Sequence, residues 1–124
     1  MFAFFSKVLF ICAVYADRIR HLDYGSFMGD RAIDGKSITF YNIPFAAPPI
    51  GEFRFKWPQP PVNISLLGIQ DSTKPGPACI VNTNDPINSF AHTSEDCLNL
   101  NVVMPTYRAK PGANFPVFVC KRQK

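Results

Sequence analysis

Ser94-Glu95-Asp96-Cys97-Leu98-Asn99-Leu100-Asn101-Val102-Val103-Met104 decides how the chain is read. From residue 98 onward the pattern has period two. Leu98, Leu100, Val102 and Met104 fall on one side, and Asn99 and Asn101 on the other. Strict alternation places one apolar and one polar face on an extended backbone, so residues 98–104 are predicted to form a half-buried strand. Downstream, residues 115–120 (FPVFVC) form a short continuous apolar run. Such a run suits a strand buried on both faces, as at the centre of an α/β sheet. No segment shows a helical period, and there is no internal repeat.

Upstream, residues 26–29 and 36–41 are predicted to form two short strands. Asp34-Gly35 lies between them and favours a tight turn, because glycine tolerates positive φ. Ile38 and Phe40 point one way, and Ser37, Thr39 and Tyr41 the other. Residues 44–61 (PFAAPPIGEFRFKWPQPP) form an extended proline-rich segment carrying Phe45, Phe53, Phe55 and Trp57. Proline-rich linkers are normally polar, so this apolar one is expected to lie on a domain surface with its aromatics packed inward. Residues 71–97 look like loop. If Cys79 and Cys97 are bridged, they pinch off a compact surface loop, worth roughly 3 kcal/mol in the chain-entropy view.

Twelve prolines in 124 residues exceed the background of about 5%. Proline removes an amide donor and breaks ladders, so much of the chain is irregular and little is left for a core. The net charge of +4 is scattered, apart from the last residues, Lys121-Arg122-Gln123-Lys124. With no basic stripe and no interleaved aromatics, nucleic acid is not an expected partner. Residues 1–16 resemble a secretory leader: two apolar runs around Ser6-Lys7, then Val14-Tyr15-Ala16 before Asp17. The competing reading is a buried N-terminal strand. The stretch is too short, and too broken by Lys7, to span a bilayer. With the leader removed, Cys12 leaves too. Cys79, Cys97 and Cys120 then remain, giving one pair and one unpaired thiol, and the neighbourhood of Cys120 marks it as the unpaired one. Asn63-Ile64-Ser65 is the only N-x-S/T sequon, a candidate N-glycosylation site if the protein is secreted.

Three stretches carry a family resemblance. Residues 40–46 (FYNIPFA), with Pro48-Pro49-Ile50-Gly51 and Phe53-Arg54-Phe55, resemble the "GIPYA", "PPVG" and "LRF" pattern of type-B carboxylesterases, the family of esterases, lipases and cholinesterases. Asn42 replaces the usual glycine, and asparagine is the next-best residue at positive φ. Residues 94–102 (SEDCLNLNV) are similar to the signature "SEDCLYLNV", with Asn99 in place of the aromatic. Residues 116–119 (PVFV) look like the strand before the family's glycine-rich "HGGG" loop. The resemblance implies an α/β-hydrolase fold. This chain would be an incomplete N-terminal portion of it, built from short antiparallel strands and long proline-rich loops, with residues 17–119 forming the family domain. It also implies that Arg54 pairs with Glu95 and that Cys79 is bridged to Cys97, making a loop at the rim of the active-site gorge. That loop holds no tryptophan, so a cholinesterase-like specificity gains no support.

No catalytic residue is expected. The nucleophile elbow G-x-S-x-G seats serine on a strained turn, and only Gly25-Ser26 with Gly29 comes near, at the wrong spacing. His92, Ser94 and Asp96 alternate along a loop but lack oxyanion donors, usually the largest catalytic term. His92, Glu95, Asp96 and Cys97 fail as a metal set because Cys97 is committed to the disulfide. No cofactor is expected. An ester or lipid substrate belongs to the full-length protein only. The basic residues 120–124 replace the expected glycines, which predicts a truncated or mis-spliced reading frame. Two alternative functions are a non-catalytic cholinesterase-like adhesion or binding module and a small secreted proline-rich protein.

Overall fold

A tight turn starts the sheet. Gly35 has φ 69°, and the Asp34 carboxylate accepts a hydrogen bond from the Lys36 amide at 3.0 Å. The Ala32 amide donates to the Ser37 carbonyl at 3.0 Å, which closes a hairpin. Glycine reaches positive φ without penalty, and a short acidic side chain can bond the backbone two residues on. In this computed structural model, which describes residues 18–80, 93–107 and 115–119, the hairpin joins strands β2 (Gly25–Arg31) and β3 (Ser37–Pro44). Strand β1 (Ile19–Leu22) pairs antiparallel with β2, β4 (Ile69–Ser72) pairs parallel with β2, and β7 (Asn99–Pro105) pairs antiparallel with β3. These five strands make one sheet in the order β1-β2-β3-β7, with β4 attached to β2. Two short strands, β5 (Ala78–Cys79) and β6 (Thr93–Ser94), pair in parallel apart from it.

Period-two alternation builds the core. Phe27 on β2 and Ile38, Phe40 and Ile43 on β3 are buried together, and Tyr24, Ile64 and Met104 pack against them. Phe40 and Ile43 are three apart, so strict alternation would put them on opposite faces. A bulge between them restores the face: the β3–β7 register shifts there and Asn42 adopts φ 55°. The Asn42 amide is bound by the Asn101 side-chain oxygen at 3.1 Å. A bulge inserts one extra residue and re-aims everything after it. Gly29 leaves room for this packing, since a Cβ there would lie 2.8 Å from Ile38 Cγ2 and 2.9 Å from the Phe40 ring.

Several expectations need correcting. The aromatics of residues 44–61 do not pack inward. Phe55 is 95% and Trp57 88% exposed, and the segment buries Ala46 and Ala47 instead. A single 3₁₀ turn at Gly51–Phe53 and a left-handed Phe55 (φ 59°) turn the rings outward. Residues 115–119 form no strand, and Val117, Phe118 and Val119 are each more than 80% exposed. An apolar run becomes a central strand only where neighbours supply its hydrogen bonds, and none does so among the described residues. Residues 71–97 are not all loop, because β4 ends at Ser72 and β5 and β6 lie within them. On β7, Met104 reaches the core, but Leu100 and Val102 stay about two-fifths exposed. The leader (1–16), Cys12, His92, Cys120 and the tail (120–124) lie outside the described residues.

Candidate functional site

Past the bulge the chain turns towards the signature stretch. The Phe45 amide donates to the Leu98 carbonyl at 3.1 Å, and the Ala47 amide to the Gln59 carbonyl at 2.9 Å. The proline-rich segment is thereby tied to the sheet at one end and folded back on itself at the other. This brings Arg54 to the residues before β7, where its Nη2 lies 2.7 Å from Glu95 Oε1. The Arg54 guanidinium also sits 5.2 Å from the centre of the Phe55 ring. The side chains of the pair are 55% and 40% exposed, so its energy is small, roughly 0.2–1 kcal/mol. Its role is to hold position.

Beside the ion pair, Cys79 and Cys97 are bridged, with Cα atoms 5.0 Å apart. Two further bonds hold the base of the bridged loop. Asn99 Nδ2 donates to the Pro77 carbonyl at 3.2 Å, and the Asp96 amide donates to Ser94 Oγ at 3.0 Å. Around the disulfide lies an open cleft of about 380 Å³, lined by Pro49, Arg54, Phe55, Ile80, Ser94 and Glu95. A second hollow of about 250 Å³ lies between the proline-rich segment and the start of β7, against Ala46, Val62, Ile64 and Leu98. Disulfide and ion pair thus form one clamp at a cleft mouth, fastening the segment around Arg54 to both ends of the loop.

Among the described serine and histidine side chains, Ser94 lines the cleft around the disulfide and His21 lies on β1. Ser94 Oγ is occupied as a turn acceptor. His21 Nδ1 lies 2.7 Å from Ser26 Oγ, a contact that sequence reasoning missed. It arises because His21 and Ser26 are register partners across β1 and β2, a signal that exists only once the pairing is known. This pair is exposed. Tyr24, half-buried, donates its hydroxyl to the Pro44 carbonyl at 2.8 Å, and burial pushes its pKa up. Among the described residues no group of three or more His, Cys, Asp or Glu side chains could hold a metal ion. No helix among them is long and apolar enough to cross a membrane.

Comparison with known proteins places this geometry. Residues 16–120 match the model of the carboxylesterase family. The chain is 38% identical over 102 residues to the fumonisin B1 esterase of Sphingopyxis macrogoltabida, covering 82% of this chain and 18% of that protein. It is 42% identical over 87 residues to the juvenile hormone esterase of Tribolium castaneum, covering 66% of this chain and 14% of that protein. Among solved structures, a PNB esterase superposes with a TM-score of 0.63 at 32% identity, covering 73% of this chain and 19% of that one. EstA of Aspergillus niger superposes at 0.60 with 35% identity, covering 71% and 16%. The chain thus spans less than a fifth of the length of these relatives. Its mostly antiparallel sheet is the N-terminal portion of their α/β-hydrolase architecture.

Proposed function

This chain belongs to the carboxylesterase family, and from that premise we propose that it is the non-catalytic N-terminal framework of a secreted carboxylic ester hydrolase. The observation that carries the proposal is the clamp: Arg54–Glu95 at 2.7 Å beside the Cys79–Cys97 bridge, at the mouth of an open cleft. A clamp of this kind fixes the two ends of a loop and leaves the residues between β5 and β6 free to vary. In an esterase that is useful at the rim of a substrate site, where the loop meets the ester and the scaffold must not move. The chemistry itself belongs elsewhere. Acyl transfer needs a nucleophile, a base that takes its proton and donors for the developing oxyanion. The 124 residues contain no G-x-S-x-G, and the one serine at the clamp already accepts an amide.

The secreted location rests on the leader-like residues 1–16 and on an exposed disulfide, since such bonds persist in oxidising compartments. The test has two arms. The purified full chain should not hydrolyse a short-chain nitrophenyl ester above background. Exchanged for the corresponding N-terminal part of the Sphingopyxis esterase, it should support that enzyme's hydrolysis. Turnover by the chain alone that vanishes with Ser94→Ala overturns the proposal. An inactive but folded chimera refutes the framework role.

A further inference from the structure

Asn63-Ile64-Ser65 is the sequon that the esterase reading leaves unused, and its local geometry is specific. The middle residue is anchored. The Ile64 amide donates to the Tyr24 carbonyl at 2.7 Å, and its side chain packs on the Phe27 cluster. The fit against β2 is close, because a Cβ on Gly25 would lie 2.8 Å from Ile64 Cγ1. With Ile64 held inward, the residues on either side are presented outward, and Asn63 and Ser65 are both exposed. Between them the Asn63 side chain is already oriented. Its Oδ1 accepts from the Ser65 amide at 2.9 Å and from Ser65 Oγ at 2.6 Å. Both bonds use the amide oxygen, so neither engages Nδ2 of the exposed Asn63. Two donors on the oxygen also draw electron density through the amide and make its N–H more acidic. Neither the middle position nor the residue after the sequon, Leu66, is proline.

We propose that Asn63 is an N-glycan acceptor. The co-reactant is a polyprenyl-pyrophosphate-linked oligosaccharide, supplied by a membrane-bound glycosyltransferase that reads N-x-S/T. Nδ2 attacks the anomeric carbon and an N–C bond forms. The C–O bond to the pyrophosphate breaks and its electron pair leaves on the pyrophosphate. The amide proton passes to a base of the transferase. No oxidant or reductant is needed. The Cys79–Cys97 bridge fits the compartment in which this transferase works, because disulfides persist in an oxidising lumen.

The experiment translates the full chain, with its own N-terminus, in a cell-free system containing endoplasmic-reticulum microsomes. Protease protection scores entry into the vesicles, and gel mobility before and after peptide N-glycosidase scores the glycan. The expected result is a protected chain carrying a single glycan. Glycosidase removes it and converts Asn63 to aspartate, which peptide mass spectrometry reads at that position. Asn63→Gln and Ser65→Ala should abolish the glycan, and Ser65→Thr, which keeps the hydroxyl donor, should retain it. A protected chain without a glycan overturns the acceptor geometry. A chain left outside the vesicles overturns the assignment of compartment. A glycan that survives Asn63→Gln refutes the site.

Discussion

Reduction of the Cys79–Cys97 bridge should cost about two orders of magnitude in the protection of the amides beside it. The two cysteines are 18 apart in sequence. In the chain-entropy picture, a cross-link closing a loop of that length removes about 3 kcal/mol of freedom from the open state. Each 1.4 kcal/mol is a factor of ten in an equilibrium, so the open population rises roughly a hundredfold when the bridge is cut. The Phe45 amide is the best reporter, because it donates to Leu98, the residue after Cys97, and exchanges only when the clamp region opens. The Ala32 amide is the control. It is bonded within the local β2–β3 turn, which closes without the bridge. Amide hydrogen exchange would be measured on the oxidised protein and on the reduced, alkylated protein, under conditions where reclosing outpaces exchange. Phe45 should lose far more protection than Ala32. Equal protection of Phe45 in the two forms would refute the idea that the bridge holds this edge of the sheet, and would leave the work to the Arg54–Glu95 pair and the β3–β7 ladder.

Two other predictions concern single residues. Gly29→Ala places a methyl within 2.9 Å of Ile38 and Phe40 and should destabilise by roughly 1–3 kcal/mol through overpacking, seen as faster exchange along β2. Gly35→Ala would clash with nothing but would strain a φ of 69°. The Asp71 carboxyl is held below the usual carboxylate range, first by the Thr73 hydroxyl at 2.7 Å, then by the Thr73 amide and the charge of Lys74. A lowered folded pKa means that its contribution is present above the ordinary carboxylate value and is lost as pH falls through the lowered one. In an NMR titration Thr73→Val should move Asp71 back up, and an unchanged titration would reject the hydroxyl as the cause.

Short-range signals were readable without coordinates where local chemistry sets the structure. Asp34-Gly35 announces a turn because only a few residue types accept its backbone. Ile38 and Phe40 announce a buried face because alternation needs no partner to be visible. Asn42 could be picked out as a position wanting positive φ, although it sits in a bulge inside β3, where the register must skip a residue to bring Ile43 back to the core. What could not be read depends on partners distant in sequence. Strand β4 lies in a stretch rich in turn-forming residues and exists because β2 offers it a parallel edge. Residues 115–119 have a strand's composition but no neighbour among the described residues to pair with. Phe55 and Trp57 face outward because a left-handed residue and one 3₁₀ turn set their direction, and hydrophobicity alone predicts the opposite. At the site, the family resemblance named Arg54, Glu95, Cys79 and Cys97, and the structure brings each pair together in one place. The His21–Ser26 contact needed the register of β1 on β2 and was invisible without it.

The clamp also bears on how such a chain can change over generations. Its two anchor points are 5.0 Å apart at the Cα atoms, and they stay so whatever sequence lies between them. Lengthening a closed loop is entropically cheap: doubling it costs only about 0.6 kcal/mol. Insertions and deletions between β5 and β6 therefore reach neither β4 on one side nor β7 on the other. The stretch behaves as a replaceable cartridge, in which length and side chains can drift while the sheet that carries it keeps its register. The same alterations one strand later would shift β7 against β3 by a residue and turn its faces over. Lineages that share this sheet should accordingly diverge fastest between β5 and β6 and keep β7 at constant length, a pattern visible by comparing loop lengths among them.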